Sequence, residues 1–152
     1  MVSKTSFGFG RNQSIIWCDY LVIGTGASGL AFVDAMINST SHSGPIFVMV
    51  DKRLTPGGHW VDTYPFVALH QPAHFYGVPS KRLEDFQDIV GRDVEDGGVR
   101  KTTISAISHS SSELSPGYRV SNYFKEVMLD LEQTGRVLHW GGREYLGSAE
   151  KS

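Results

Sequence analysis

Asp19-Tyr-Leu-Val-Ile-Gly24-Thr-Gly26-Ala-Ser-Gly29-Leu30 is the stretch on which the reading of the fold turns. Tyr20 to Ile23 is a short continuous apolar run, the pattern of a parallel strand buried on both faces. Glycines at 24, 26 and 29 follow, and then a helical stripe of Leu30, Val33, Met36 and Ile37, with Asp34 and Asn38 expected to turn away from it. The stripe runs out in Ser39-Thr-Ser-His-Ser-Gly-Pro45, a cluster of helix breakers. A second apolar run, Ile46 to Val50, ends in Asp51, 22 residues after Gly29. Strand, glycine turn, helix and strand together make a βαβ unit of about 30 residues, the nucleotide-binding half-fold.

Each glycine has its own expected task. Gly24 makes the tight turn out of the strand, Gly26 lets a diphosphate approach the backbone, and Gly29 lets the helix pack closely on the strand. The helix N-terminus offers free N–H groups and a partial positive charge to that anion, worth about 0.3–1 kcal/mol and up to ~2 when partly buried. Asp51, an acid rather than an arginine, suits the two hydroxyls of a ribose better than a 2′-phosphate. Lys52 and Arg53 beside it could cover an adenine, neutralise phosphate, or serve as ordinary exposed charges.

Outside this unit the chain alternates between poor and strong periodicity. Thr55 to Lys81 has no clear period but is rich in proline, glycine, histidine and aromatic residues, and reads as a ligand-contacting excursion. Gly91 to Ser115 is polar and serine-rich and reads as a surface loop. Val120, Tyr123, Phe124, Val127, Met128 and Leu131 recur at helical spacing, with Gly135 placed to end that helix. Arg136 to Trp140, Gly141-Gly142 and Arg143 to Leu146 predict a β-hairpin on a two-residue turn. His70-Gln-Pro-Ala-His74 has a zinc-like spacing, but Pro72 obstructs the helix such a pair requires, so no metal site is expected.

Length and composition fit one incomplete α/β domain over 19–152 behind a flexible leader over 1–18. At 152 residues the chain can bury about two-thirds of its unfolded surface. A net charge of −2 supplies no basic field, so nucleic acid is not expected as a partner. One cysteine, Cys18, excludes an internal disulfide and suits a reducing, cytoplasmic compartment; its apolar neighbours point to a buried structural thiol. No apolar run approaches the ~20 residues of a membrane span, and the N-terminal stretch lacks the apolar core of a signal peptide.

Gly24 to Leu30, Asp51, Pro56-Gly-Gly-His-Trp60, Thr63-Tyr-Pro65, His70-Gln-Pro72 and Tyr76-Gly77 together resemble the N-terminal FAD-binding region of class B flavoprotein monooxygenases. That group includes the flavin-containing and Baeyer–Villiger enzymes. The acid followed by Gly-Gly-x-Trp is more specific than the glycine fingerprint, which many dinucleotide folds share. The resemblance implies a partial Rossmann-like FAD/NAD(P)-binding domain, with the amphipathic helix and hairpin appended. It implies that Gly24, Gly26, Ala27, Ser28 and Gly29 hold the FAD diphosphate and Asp51 the ribose, with Lys52 beside it. Gly58, His59 and Trp60 would line the path to the flavin ring, and His70 and Gln71 would touch it. Members of that group use NADPH to reduce the flavin, which then oxygenates a small-molecule substrate with O₂.

The sequence also departs from that group. Val33 stands where many fingerprints carry Gly or Ala, and the chain holds no second glycine-rich motif for NADPH. The leading expectation is therefore an FAD-dependent oxidoreductase, shortened so that the NADPH domain is missing. A non-catalytic nucleotide-binding remnant or accessory subunit is the alternative from another class. An NAD-dependent dehydrogenase is a third, which leaves Gly57-Gly58-His59-Trp60 unexplained. With only two parallel strands evident, apolar surface beside Leu21 to Ile23 is expected to be open, and covered by self-association, a partner chain or bound FAD.

Overall fold

The computed structural model describes residues 5–6, 16–41, 43–87 and 114–147. Its elements are β1 (Thr5–Ser6), β2 (Trp17–Cys18), β3 (Tyr20–Ile23), α1 (Ala27–Ser39), β4 (Phe47–Asp51), β5 (Gly77–Val78), β6 (Lys81–Arg82), α2 (Gly117–Gln133) and β7 (Val137–Gly141). The central sheet is parallel, in the order β3-β4-β7. Two short antiparallel pairs, β1 with β2 and β5 with β6, lie outside it. The architecture is mixed α/β, as a partial Rossmann-like fold requires. Most of the leader expected over 1–18 falls outside the described residues, as does the serine-rich segment over 88–113.

β4 is the centre of the sheet, and all five of its residues are buried. Its alternation separates two cores. Phe47 and Met49 join Leu30 and Val33 of α1, the apolar face of α2 and Val137 in the larger one. Val48 and Val50 face the other way, with Cys18, Ile16, Leu21 and Trp140. Both helices therefore cover the same face of the sheet. The six residues of the α2 stripe are all buried, as their spacing requires. Gly135, at φ +70°, follows the helix and supplies its left-handed exit.

Two expectations are corrected. The stretch 136–146 is not a hairpin: Val137 to Gly141 pairs parallel with Phe47 to Asp51, and no strand is formed over 143–147. A turn does occur at Gly142, with φ +70°. The chain beyond it stays on β4, the Gly142 and Arg143 amides donating to the Arg53 and Asp51 carbonyls at 2.8 and 2.9 Å. The free side of β4 thus captures this strand, through a contact that a local turn signal does not report. Asp34, in turn, does not face away. It is buried and accepts hydrogen bonds from the Ser80 amide (2.9 Å), the Ser80 hydroxyl (2.5 Å) and the Asn38 side chain (3.1 Å).

β3 has a different environment from β4. Among the described residues it pairs only with β4, and Ile23 at its end is 60% exposed. Leu21 and Val22 before it are half-buried against the two cores. No helix among the described residues is long and apolar enough to cross a membrane.

Candidate functional site

The turn between β3 and α1 is made of backbone. The Gly24 amide donates to the Val50 carbonyl (2.7 Å), and φ +99° at Gly24 is a left-handed conformation that favours glycine. A Cβ on Gly29 would lie 2.2 Å from the Gly24 carbonyl oxygen, so the close approach of helix to strand demands glycine there too. Gly26 is different. Its φ of −79° is open to any residue, and a Cβ would meet only ordinary contact, 3.5 Å from the Gly58 Cα. Gly26 is also the N-cap of α1, which has no side-chain cap and no acid in its first turn. The first helical bond runs from the Leu30 amide to the Gly26 carbonyl, at 3.0 Å. Gly26, Ala27, Ser28 and Gly29 thus present an uncapped helix start, with Ser28 exposed.

The Gly57-Gly58 bend lies against this turn. The Gly57 amide donates to the Thr25 carbonyl (2.9 Å), and both glycines have positive φ, +127° and +60°. A Cβ on Gly58 would come within 2.9 Å of the Gly26 Cα, so it is Gly58, not Gly26, that the close approach of the two backbones requires to be glycine. A 3₁₀ turn over Gly58–Asp62 follows and buries Trp60, whose indole N–H donates to the Tyr76 hydroxyl at 2.7 Å.

Trp60 closes one side of a cleft of about 360 Å³, lined also by His59, Val67, Ala68, Leu69, His70 and Gln71. The cleft unites four expected site residues from two separate stretches of sequence: His59, Trp60, His70 and Gln71. The second stretch is fixed to the start of α2 by the Leu69 amide to the Ser115 carbonyl (2.9 Å) and the Gly117 amide to the Val67 carbonyl (2.7 Å). His59, His70 and Gln71 are exposed at its mouth.

Asp51 lies under the glycine turn with its carboxylate engaged. Oδ2 accepts the Thr25 amide (2.7 Å) and the Thr25 hydroxyl (2.8 Å), and Oδ1 accepts the Arg53 amide (2.9 Å). Burial would raise its pKa. The hydrogen bonds from the Thr25 amide, the Arg53 amide and the Thr25 hydroxyl, with the Arg53 charge, outweigh that and hold the carboxyl below its ordinary range. Lys52 is exposed beside it. Arg53 is not a free cation, since its guanidinium binds Asp62 with Nε–Oδ2 at 2.6 Å and Nη2–Oδ2 at 2.5 Å. Among the described residues no group of three or more His, Cys, Asp or Glu is placed to hold a metal ion.

Three contributors escaped sequence reasoning. Thr25 is fully buried between two glycines, Tyr76 receives the Trp60 indole, and Tyr123 reaches out of α2 to the β5–β6 turn. The Tyr123 hydroxyl accepts the Val78 amide and donates to the Lys81 carbonyl, both at 2.6 Å. Burial pushes its pKa up to about 12. A threonine between fingerprint glycines, followed by an acid at the end of the next strand, is the one local signal that could have pointed to the Thr25–Asp51 contact.

No family model matches the chain. It is 41% identical over 131 residues to uncharacterized proteins of Mycobacterium bovis and Mycobacterium tuberculosis, a match covering 85% of this chain and 21% of theirs. The chain thus spans about a fifth of the length of the curated relatives it matches. Among solved structures it is similar to a flavin-containing monooxygenase from Stenotrophomonas maltophilia, with TM-score 0.49 and 20% identity, over 80% of this chain and 28% of that one. A mutant flavin monooxygenase from the same organism gives TM-score 0.48 and 18% identity at the same coverage.

Proposed function

We propose that this chain binds FAD, as part of an FAD-dependent oxidoreductase related to class B flavin monooxygenases. The observation that carries the proposal is the contrast among the fingerprint glycines. The fold itself accounts for Gly24 and Gly29 but leaves Gly26, at an uncapped helix start, without an internal reason. A diphosphate supplies one, because it needs bare N–H groups and a backbone it can approach. Gly24, Gly26, Ala27, Ser28 and Gly29 would hold that diphosphate, with Asp51 and Lys52 at the adenosine end. Gly58, His59 and Trp60 lead from there to His70 and Gln71, which would meet the flavin ring. FAD, when bound, supplies the electron transfer, with NADPH as reductant from a site outside this chain. The chain's own residues bind and orient the cofactor and shape the cleft through which a small-molecule substrate would approach.

A reading without turnover has one observation in its favour. The His59, His70 and Gln71 side chains stand exposed at the mouth of the cleft, an arrangement that suits binding at least as well as proton transfer. Under that reading the chain is a nucleotide-binding module. Among the described residues β3 pairs on one side only, and this supports a further part of the proposal: self-association or a partner chain covers its other edge in solution.

The purified chain tests this directly. Flavin absorption near one FAD per chain, or a rise in thermal midpoint on adding FAD, supports the binding site; FAD at 100 times Kd would add about 2.7 kcal/mol. A colourless protein that ignores FAD sinks it. Bleaching by NADPH, with or without a partner, separates the oxidoreductase from the binding module. A sharp monomer peak in size exclusion, flavin-free and without binding of a hydrophobic dye, argues against a covered edge.

A further inference from the structure

We infer that Asp51 is a positioning residue, which shapes the diphosphate cradle through Thr25 and makes its main contribution to ligand binding by that route rather than by gripping a ribose. The ligand part of this inference rests on the nucleotide-binding proposal above; the structural part does not.

Thr25 is the only residue of the turn Gly24-Thr25-Gly26 with a side chain, and it has no exposed surface. It is tied at three points. Its amide and hydroxyl both end on Asp51 Oδ2, at 2.7 and 2.8 Å, and its carbonyl accepts the Gly57 amide at 2.9 Å. Three segments therefore meet at one residue: the end of β4, the glycine turn, and the Gly57-Gly58 bend that rests on Gly26. With Asn at 51 the Thr25 amide and hydroxyl share one neutral amide oxygen, and the side-chain NH2 is set against the Arg53 amide, donor against donor. The peptide joining Gly24 to Thr25, on the strand side of the uncapped turn, then loses its charged anchor, while the Thr25 carbonyl keeps only the Gly57 amide.

The same bonds limit what Asp51 can offer a ribose. A carboxylate has about four lone-pair sites. Thr25 occupies both on Oδ2 and the Arg53 amide one on Oδ1, in a residue only 6% exposed. One site remains, which can receive one hydroxyl at most. An acid that accepts from both hydroxyls of a ribose needs more free capacity than this one has.

Two probes separate the roles, because ADP carries a ribose beside its diphosphate and inorganic pyrophosphate carries none. Affinities are measured for the full chain and for Asp51→Asn, Thr25→Val and Thr25→Ser. Positioning through Thr25 predicts that D51N and T25V weaken both probes by a common factor, about tenfold or more. T25S, which keeps the hydroxyl, restores wild-type affinity. The double variant D51N/T25V is no weaker than the worse single one, as expected of two residues acting through one contact. A D51N that weakens ADP and leaves pyrophosphate untouched overturns the inference in favour of a ribose contact.

Amide hydrogen exchange at Thr25 and Gly57, read without ligand, supplies an independent arm. Faster exchange at both in T25V, with T25S unchanged, is the expected result, and unchanged exchange in T25V overturns the inference even if D51N fails to fold. If the wild-type chain binds neither probe, the nucleotide proposal fails and the exchange arm alone decides this one.

Discussion

The turn after β3 and the bend after β4 touch at Gly26 and Gly58, yet they are held in opposite ways. The turn is fixed by its own backbone: a left-handed Gly24, a glycine contact at Gly29 and the single side-chain anchor of Thr25. The bend takes a backbone bond from the turn, the Gly57 amide to the Thr25 carbonyl, and the excursion beyond it is fixed largely by side chains. Trp60 holds Tyr76, Asp34 of α1 holds Ser80, and Tyr123 of α2 holds Val78 and Lys81. A site made in this way has one rigid wall, set by local geometry, and one wall whose position depends on two helices staying packed.

The largest test of that contrast is Gly29→Ala. Its Cβ would sit 2.2 Å from the Gly24 carbonyl oxygen, a backbone atom rather than the end of a flexible side chain. A loss of about 3 kcal/mol is expected, read as a fall in thermal or denaturant midpoint. Asp51→Asn should cost about 1.5–3 kcal/mol, the range for hydrogen bonds to a charged group. The folded pKa of Asp51 is depressed, so its contribution is present above the ordinary carboxylate pKa and is lost as pH falls through the folded value. The acid side of the stability profile should flatten in D51N, and an unchanged acid limb would count against the Thr25 contact.

Tyr123→Phe tests the other wall. It strands the Val78 amide and the Lys81 carbonyl, at a cost of about 1–3 kcal/mol. Tyr123 is raised from its ordinary 10 to about 12 in the folded protein. Its contribution is therefore complete below pH 10 and is lost as pH climbs toward about 12. Lys81 weakens in the same direction: burial would lower its pKa, but its bonds to Asp130 and Glu126 raise it. Y123F should thus remove part of the alkaline loss and leave part. An alkaline limb identical to wild type would remove Tyr123 from the account.

The same contrast explains what the sequence could show. β3, α1 and β4 were legible because a parallel strand, a glycine turn and a helical stripe each write a short-range pattern. The stripe of α2 was legible for the same reason. Asp34 misled because a polar residue on a helix is read as solvated, and nothing nearby announces Ser80, 46 residues on. The hairpin misled because Gly141-Gly142 is a strong local signal, while parallel pairing with β4 is a remote event. In the candidate site, the joining of His59 and Trp60 to His70 and Gln71 depended on the anchoring of 67–69 beside Ser115 and Gly117, which no local pattern encodes. The burial of the Asp51 carboxylate under Thr25 had one local sign, the threonine between the fingerprint glycines with an acid at the end of the next strand.

The smallest expected effect on stability belongs to Gly26→Ala, and it bears on the central claim. The added methyl meets only ordinary contact, so folding should change by less than about 1 kcal/mol. FAD titrations of the wild-type chain and of G26A, run beside their thermal unfolding, are the most direct test. The account predicts close to one FAD per wild-type chain, and a G26A that unfolds near the wild-type temperature but binds FAD about tenfold or more weakly. Equal FAD affinity in the two proteins, or no FAD bound by the wild type, would contradict it.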